Sequence, residues 1–395
     1  MSKVLSDIST YVNDRVSFHV LNENTYIGMD NLIPNRGGVT VSEYVPSEGQ
    51  FTAFHKGDVL LGNIRPYFKK IWLAEYDGGC SPDVLCIRAK NGVSPLFLYA
   101  VLAQDAFFDY DVKGAKGSKM PRGDKDHIMA YPVPEIENAE GVGFLVDSIY
   151  RKIQNNNAIC SNLEAMAKLL YDYWFIQFDF PDENGKPYKS SGGKMVWNDE
   201  LKREIPAGWE VKCISDIGTL DQDSVWPNND MVYSHYSIPA FDDSHMPVRE
   251  EGSAIESNKY LIPENCVLVS KLNPQFKRIW LIIKPQENAI CSTEFLPIKA
   301  GDIGIYYLYE VVNSDAFSVH LSQKASSSTG SRKRIDPENC MAFQFASNNR
   351  IAKLYNSKIA SLIEQANQIP LENQQLASLR DFLLPMLMNG QVKVG

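Results

Sequence analysis

The chain repeats itself, and this repeat limits the possible folds more than any other feature of the sequence. Its 395 residues contain two similar halves that are offset by about 210 residues. The clearest matched segments keep their order and are 3–8 with 212–217, 59–61 with 267–269, 66–73 with 274–281, and 105–107 with 315–317. A repeat of this length indicates a duplicated domain, because solenoid repeats are much shorter, at roughly 20 to 45 residues.

Each half begins with a part of mixed secondary structure. In the first half, short runs of β-branched and aromatic residues bounded by Gly, Pro or Asn predict strands at 58–64, 70–74 and 84–88. Residues 96–107 predict a short helix. Because the matched segments recur, we expect the second half to contain a similar mixed domain.

Each half ends in a long helical segment. Apolar residues recur at three- and four-residue spacing through 139–173 and 346–388, which is the seam of a coiled coil. Asn156 and Asn373 interrupt the two seams, and polar residues at such positions fix the register of paired helices. Helices of this length are each about 50 Å long. We expect them to pack together, antiparallel if the chain returns on itself.

The predicted fold class is therefore α+β: two similar mixed α/β domains separated by two long antiparallel coiled-coil helices. The stretch between the halves is rich in turn formers such as Pro, Asp, Asn, Gly and Ser. The predicted segments are a first domain at 1–138, a central helix at 139–179, a linker at 180–208, a second domain at 209–345, and a distal helix and tail at 346–395.

The composition is that of a soluble globular protein, with 44% hydrophobic and 22% charged residues. No run of about 18 apolar residues predicts a membrane span, and the N-terminus lacks the apolar core of a signal peptide. The seven cysteines are scattered, with no CxxC pair and no Cys/His cluster at zinc spacing. We therefore expect a cytoplasmic protein with reduced cysteines and no metal site.

One motif suggests an enzyme. Residues 273–276 (NPQF) look like the N-P-P-aromatic motif with which amino-methyltransferases hold a flipped base. The matching residues 65–68 (RPYF) lack the asparagine, and both copies lack the second proline. No Gly-rich turn for S-adenosylmethionine, P-loop or nucleophile elbow is present. The sequence therefore predicts a protein without catalytic residues and without a cofactor of its own.

Local clusters of basic residues suggest DNA binding. The net charge of −9 argues mildly against nucleic-acid binding unless positive charge is concentrated locally. The predicted DNA-binding residues are Arg65, Tyr67, Lys69, Lys70, Lys113, Lys116, Lys119 and Arg122 in the first half, and Lys271, Lys277, Arg278, Lys324, Arg332, Lys333 and Arg334 in the second. Nearby glycine and serine let the backbone approach phosphates closely, and lysine and arginine neutralise them. A loop that only faces solvent is the alternative, and recurrence in both halves favours a function.

Segments along almost the whole chain resemble the specificity subunits of type I restriction–modification systems. The segment GDVLLGNIRPY (57–67) with KIW (70–72) resembles their first target-recognition domain, YDYWF (171–175) with QFDFP (177–181) their central conserved region, KMVW (194–197) and IPAGW (205–209) the entry to their second domain, and LRDFLLP (379–385) the end of their distal helix. The order of these segments is also that of the family.

The resemblance implies a mechanism. Each target-recognition domain would bind one half of a split double-stranded DNA target, and the helices would set the gap between the halves. Two methyltransferase (M) subunits would pack on the helices, bind S-adenosylmethionine and methylate adenine, and restriction (R) subunits would join for cleavage. Because Arg65 and Tyr67 match Asn273 and Gln275, we expect the two domains to recognise different bases.

Two other functions remain open from the sequence. The chain could be a scaffold or regulator whose helices bind partners without recognising DNA. It could also be a methyltransferase in its own right, which would require a cofactor loop that the sequence does not show.

Overall fold

The computed structural model describes residues 3–326 and 333–394, apart from the side chain of Ser244. The chain divides into two compact units. The first consists of residues 1–157 and 372–395, and the second of residues 158–371. The segments predicted from the sequence keep each long helix whole, whereas the compact units divide both helices between them.

Two four-stranded sheets form the mixed part of the first unit. Its strands are β1 (Ser9–Tyr11), β2 (Arg15–Ser17), β3 (Tyr26–Ile27), β4 (Leu32–Ile33), β5 (Gly38–Val39), β6 (Gln50–Phe54), β7 (Val59–Gly62), β8 (Ile71–Leu73), β9 (Gly78–Cys80) and β10 (Val84–Ala89). One sheet has the order β1-β10-β7-β8 and the other β2-β6-β9-β3, while β4 pairs with β5. The strands predicted at 58–64, 70–74 and 84–88 correspond to β7, β8 and β10.

Short helices complete this unit. They are α1 (Leu5–Ile8), α2 (Pro95–Leu102), α3 (Asp105–Gly114), α4 (Lys125–Met129) and the first part of α5 (Ala139–Tyr171). Helix α2 is buried from Phe97 to Leu102, because it contacts β7, β8 and β10 and its Tyr99 ring lies 5.7 Å from the ring of Tyr150 on α5. The sequence predicts one helix at 96–107. The chain forms two instead, because Gln104 is extended (φ −69°, ψ 145°) and α3 begins after it.

The second unit repeats this topology. Its strands are β11 (Met195–Asn198), β12 (Arg203–Pro206), β13 (Glu210–Cys213), β14 (Gly218–Leu220), β15 (Ser224–Val225), β16 (Val232–Tyr236), β17 (Val248–Glu251), β18 (Lys259–Leu261), β19 (Cys266–Ser270), β20 (Ile279–Ile282), β21 (Ala289–Ser292), β22 (Phe295–Ala300) and β23 (Gln344–Ser347). Its helices are the end of α5, α6 (Ile238–Ser244), α7 (Ile305–Asn313), α8 (Asp315–Lys324), α9 (Pro337–Met341) and the start of α10 (Asn349–Met388).

The strand orders make the duplication explicit. The sheet β14-β22-β19-β20 matches β1-β10-β7-β8, and the order β15-β18-β21-β16 matches β2-β6-β9-β3. Even the parallel pair is repeated, as β3 with β9 and β16 with β21. The second unit adds β17 at the edge of its larger sheet, next to β16. Helix α6 lies between β16 and β17 in the chain, so the insertion is local.

The aromatic segment that follows α5 belongs to the core of the second unit. A π-helical turn at Asp172–Ile176 extends α5 and buries Trp174 and Phe175. Residues 180–208, predicted as a linker, contain the antiparallel hairpin of β11 and β12. Phe180 and Ile205 from this segment are buried in the same core as Trp174 and Phe175. The segment is therefore packed onto the unit that follows it.

The two long helices pack against each other in antiparallel fashion. In the first unit, Val142 and Val146 near the start of α5 share a core with Leu384 and Leu387 near the end of α10. In the second unit, the hydroxyl of Tyr355 near the start of α10 donates to the carbonyl oxygen of residue 167 on α5, at 2.8 Å. The predicted α+β fold with two similar domains and long antiparallel helices is confirmed. No helix within the described ranges is long and apolar enough to cross a membrane.

Candidate nucleic-acid interface

In the first unit, the structure brings the two predicted basic clusters together. The chain leaves α3, forms an arm at residues 115–123 and returns to α4. Lys116 and Arg122 exchange backbone hydrogen bonds of 2.8 and 2.9 Å across this arm. The arm is joined to a turn at residues 65–69, because the amide of Arg65 donates to the carbonyl of Pro121 at 2.8 Å. We call these segments the first arm and the first turn.

The second unit has the same arrangement. Its second arm lies between α8 and α9 and consists of the described residues 325–326 and 333–335, in which Ser326 and Arg334 exchange backbone hydrogen bonds of 2.9 Å each. The second turn, residues 273–277, is joined to it by a 2.8 Å hydrogen bond from the amide of Asn273 to the carbonyl of Lys333. Arg332 lies outside the described residues, as do its neighbours in 327–331. Each half thus builds one arm-and-turn surface from segments about 50 residues apart in sequence.

Both turns begin with a residue in the left-handed conformation. Arg65 has φ 52° and Asn273 has φ 49°. Asparagine adopts this conformation readily, whereas for arginine it costs of order 1–2 kcal/mol. The bond from Arg65 to the arm and the 3.0 Å bond from the Phe68 amide back to the Arg65 carbonyl hold the first turn in place. The turns therefore share a backbone shape although their first residues differ.

Each arm is also fixed by an ion pair at the same position. Arg122 lies 3.1 Å from the carboxylate of Asp83. Its counterpart Arg334 binds Glu294 through two hydrogen bonds of 3.1 and 2.8 Å. These predicted DNA-binding arginines already have carboxylate partners, so in the free protein they position the arms.

The basic residues at the end of each turn are likewise held by the protein. Lys69 binds Asp105 at 2.6 Å. Burial of Asp105 opposes its ionisation, but the hydrogen bonds from Lys69 and Arg36 outweigh this and lower its pKa. Burial lowers the pKa of Lys70, whose ammonium donates to the carbonyl of Met29 at 2.6 Å.

In the second unit the same two positions are occupied by Lys277 and Arg278. Lys277 donates to the carbonyl of Asn313. Arg278 forms two hydrogen bonds with Asp242 on α6, of 2.6 and 2.8 Å. Lys271, the remaining basic residue of this cluster, is half-buried before the turn. The ends of both turns therefore present little uncommitted positive charge.

The lysines beside and within the arms are more available. The exposed side chains of Lys113, Lys119, Lys324 and Lys333 have no ion-pair partner in the described part of the chain. Lys116 is also exposed and pairs with Asp124. These lysines lie in the arms or at the helix ends that lead into them, which makes the arms stronger candidates than the turns for phosphate contacts.

A buried carboxyl lies beneath the first arm, whereas the matching place in the second unit is apolar. Asp111 on α3 is fully buried, and burial raises the pKa of its carboxyl to about 6. Neither of its carboxylate oxygens has a hydrogen-bond partner among the described residues. Gly123, at the end of the arm, lies against this carboxylate, since a Cβ there would be 2.5 Å from Oδ1 of Asp111. The residues at the matching positions of the second unit are Leu321 and Ile335, which are both buried.

Two residues of this surface are not among those predicted from the sequence. Phe68 and Phe276 occupy the same position in the two turns and are 38% and 56% exposed. Both appear among the matched residues of the repeat, but an aromatic residue beside a strand is ordinarily assigned to a core. Repetition of an aromatic residue inside a basic, proline-containing loop was the signal that could have identified them.

Comparisons with known proteins cover nearly the entire chain. The chain is 24% identical over 377 residues to the "Type I restriction enzyme MjaIX specificity subunit" of Methanocaldococcus jannaschii, covering 91% of this chain and 83% of the relative. It is 22% identical over 466 aligned positions to the "Type I restriction enzyme HindI specificity subunit" of Haemophilus influenzae, covering 98% of both. No protein-family model matches the sequence.

A solved structure shares the fold. The crystal structure of the type I restriction–modification system S subunit from M. genitalium aligns with a TM-score of 0.60 at 11% identity, over 100% of this chain and 96% of that one. Over nearly its full length the chain is therefore similar in sequence to proteins named type I restriction enzyme specificity subunits, and similar in fold to a solved S subunit.

Proposed function

We propose that the chain is the non-catalytic specificity subunit of a type I restriction–modification complex and selects its DNA target. The observation that carries this proposal is the repeated arm-and-turn surface, in which exposed lysines lie beside a fixed turn in both units. A lone basic loop would be weak support. Two copies with the same backbone hydrogen bonds support a function that needs two similar contacts, and the names of the curated relatives agree with it.

Each unit would bind one half of a split target. The reading domains are the predicted segments 1–138 and 209–345, and the long helices would set the separation between the two half-sites. Linking two weak contacts raises the overall affinity when their spacing matches the DNA. Because the turns differ at Arg65 and Asn273, and at Tyr67 and Gln275, the half-sites are expected to differ in sequence.

Partner subunits would supply the chemistry. In the second unit, Ile159, Met166, Leu169, Tyr173 and Ile176 are large apolar residues exposed along the end of α5 and the turn that follows it. Their spacing of three, four and seven residues places them on one face of the helix. Exposed apolar stripes mark protein-binding surfaces. We assign this stripe to one of two methyltransferase subunits, which would bind S-adenosylmethionine and methylate adenine; restriction subunits would join the same complex.

A methylation map tests the proposal as a whole. DNA from cells with and without this protein is sequenced for methylated adenine. The expected result is one split motif that carries methyl-adenine and disappears on deletion. An unchanged map in cells that contain the partner methyltransferase would contradict the proposal and favour a scaffold that does not recognise DNA.

A binding experiment tests the role of the arms. The complex of this chain with its methyltransferase is titrated with the mapped target at several salt concentrations. Replacing Lys116, Lys119 and Arg122 together with alanine is expected to weaken binding and flatten its salt dependence. Unchanged affinity would show that the first arm does not contact DNA.

A further inference from the structure

The two exposed phenylalanines of the turns have no role in phosphate binding, because they carry no charge. Phe68 and Phe276 nevertheless lie on the same surface as the basic arms. The amide of Phe68 donates to the carbonyl of Arg65 at 3.0 Å, and that of Phe276 donates to the carbonyl of Asn273 at 2.9 Å. Since residues 65 and 273 are each bonded to an arm, both rings are held at equivalent places beside it.

The ring of Phe276 is held in place before any ligand binds. The guanidinium of Arg278 lies 5.2 Å from the ring centroid. Arg278 is itself fixed by its two hydrogen bonds to Asp242 on α6, the helix inserted between β16 and β17. One side of the ring is therefore covered by the protein and the rest is open. In the first unit, the ring of Tyr67 lies 4.8 Å from that of Phe68 and supports it in a similar way.

This geometry restricts how such a ring can contact DNA. A side chain that wedges between base pairs must be open on both faces, because a base stacks on each side. Phe276 has one side against Arg278, and Phe68 has one side against the ring of Tyr67. A ring that lies on the protein surface can instead contact the apolar edge of a base. In the major groove that edge is the C5-methyl group of thymine.

We propose that Phe276 and Phe68 are specificity-determining residues, each packing against the C5-methyl group of a thymine in its half-site. This inference rests on the proposed function and assigns to these two side chains the recognition of thymine. The arms then contribute charge, which is independent of sequence, and the turns contribute an apolar contact that depends on one chemical group.

Replacing thymine by uracil tests the inference, because it removes only the methyl group. The complex with methyltransferase is titrated with duplexes of the mapped target in which each thymine in turn is replaced by uracil. For the wild-type complex, one replacement in each half-site is expected to weaken binding about 4-fold, the effect of burying one methyl group. Phe276→Ala is expected to bind the uracil and thymine duplexes equally at one of these positions, and Phe68→Ala at the other.

Trp197→Ala is the matched control, since Trp197 is an exposed aromatic residue of the β11–β12 hairpin. It is expected to keep the wild-type response to uracil at both positions. Because both phenylalanines are exposed, the variants should retain the wild-type melting temperature and the wild-type affinity for unrelated duplex DNA.

Two outcomes are distinguishable. If the wild-type complex selects its split target but both variants respond to every uracil replacement as the wild type does, the inference about the phenylalanines is wrong and the proposed function stands. If the wild-type complex does not prefer the mapped target to unrelated DNA, the proposed function itself is contradicted.

Discussion

The Nδ2 of Asn156 on α5 donates a hydrogen bond to the Oδ1 of Asn373 on α10, at 2.9 Å. These are the two polar residues that interrupt the apolar seams, and in the first unit they meet. Asn156 is buried and also donates to Glu372 at 3.0 Å, while Asn373 donates to Asn157 at 2.7 Å. The two side-chain amides can form these hydrogen bonds in only one register of the helices. This is how a buried polar residue fixes the register of paired helices.

Replacing Asn156 by alanine tests this contact. We expect the free energy of unfolding to fall by about 1–3 kcal/mol, because Asn373 and Glu372 lose a buried partner. Replacing both asparagines by leucine should cost less than the single change, because neither asparagine is then left without the other, and Glu372 and Asn157, which lose an amide partner, are accessible to water. Urea unfolding of the full chain measures both. Asn155→Ala, an exposed change on the same helix, is the control. Equal effects of the Asn155 and Asn156 variants would contradict the assignment.

The buried Asp111 should make stability depend on pH. Its pKa is raised from 3.8 to about 6 by burial, partly offset by His127. The folded state favours the protonated carboxyl of Asp111. The contribution of this proton to the free energy of unfolding is therefore complete below pH 3.8, and it is lost as the pH rises through about 6. Asp111→Asn should therefore be more stable than the wild type at pH 7.5, by up to about 3 kcal/mol, and equally stable near pH 3.5. Urea unfolding across this pH range measures the effect, with the exposed change Asp109→Asn as control. A difference in free energy of unfolding between Asp111→Asn and the wild type that did not vary with pH would contradict the expectation.

The ion pair between Arg334 and Glu294 is expected to affect DNA selection more than stability. Both side chains are partly exposed, so Glu294→Gln should lower the free energy of unfolding by less than about 1 kcal/mol. It should nonetheless weaken binding to the specific target more than to unrelated DNA, because the second arm loses the contact that positions it. Exposed Glu287→Gln is the matched control. An equal loss on both DNAs would argue against a positioning role.

Salt dependence should separate two lysines of the first unit. Lys119 is exposed and has no ion-pair partner in the described part of the chain, whereas Lys69 binds Asp105. A lysine that contacts one phosphate contributes about 0.9 to the slope of log K against log salt. Lys119→Ala should reduce the slope by about that amount, and Lys69→Ala should leave it unchanged. The opposite result would place the phosphate contact in the turn instead of the arm.

The sequence predicted the architecture well for a specific reason. Side-chain periodicity and internal repetition are local properties of the chain, so the strands β7, β8 and β10 and the two helical seams could be recognised directly. The break between α2 and α3 was missed because Ala103 and Gln104 carry no turn signal. The β11–β12 hairpin was missed because its packing partners, such as Trp209 and Phe175, are decided by tertiary contacts.

At the candidate interface, too, some features could be predicted from the sequence and others depend on tertiary contacts. By itself, the sequence determined that the chain is duplicated, that basic residues recur at matching places, and that two asparagines interrupt the seams. Only the tertiary structure decided that Lys69, Lys70 and Arg278 bind the protein, that Arg122 and Arg334 position the arms, and that Phe68 and Phe276 are exposed. The physical reason is that charge and aromatic character belong to a residue, whereas availability depends on neighbours such as Asp105, Asp242 and Glu294, which are distant in sequence and adjacent only after folding.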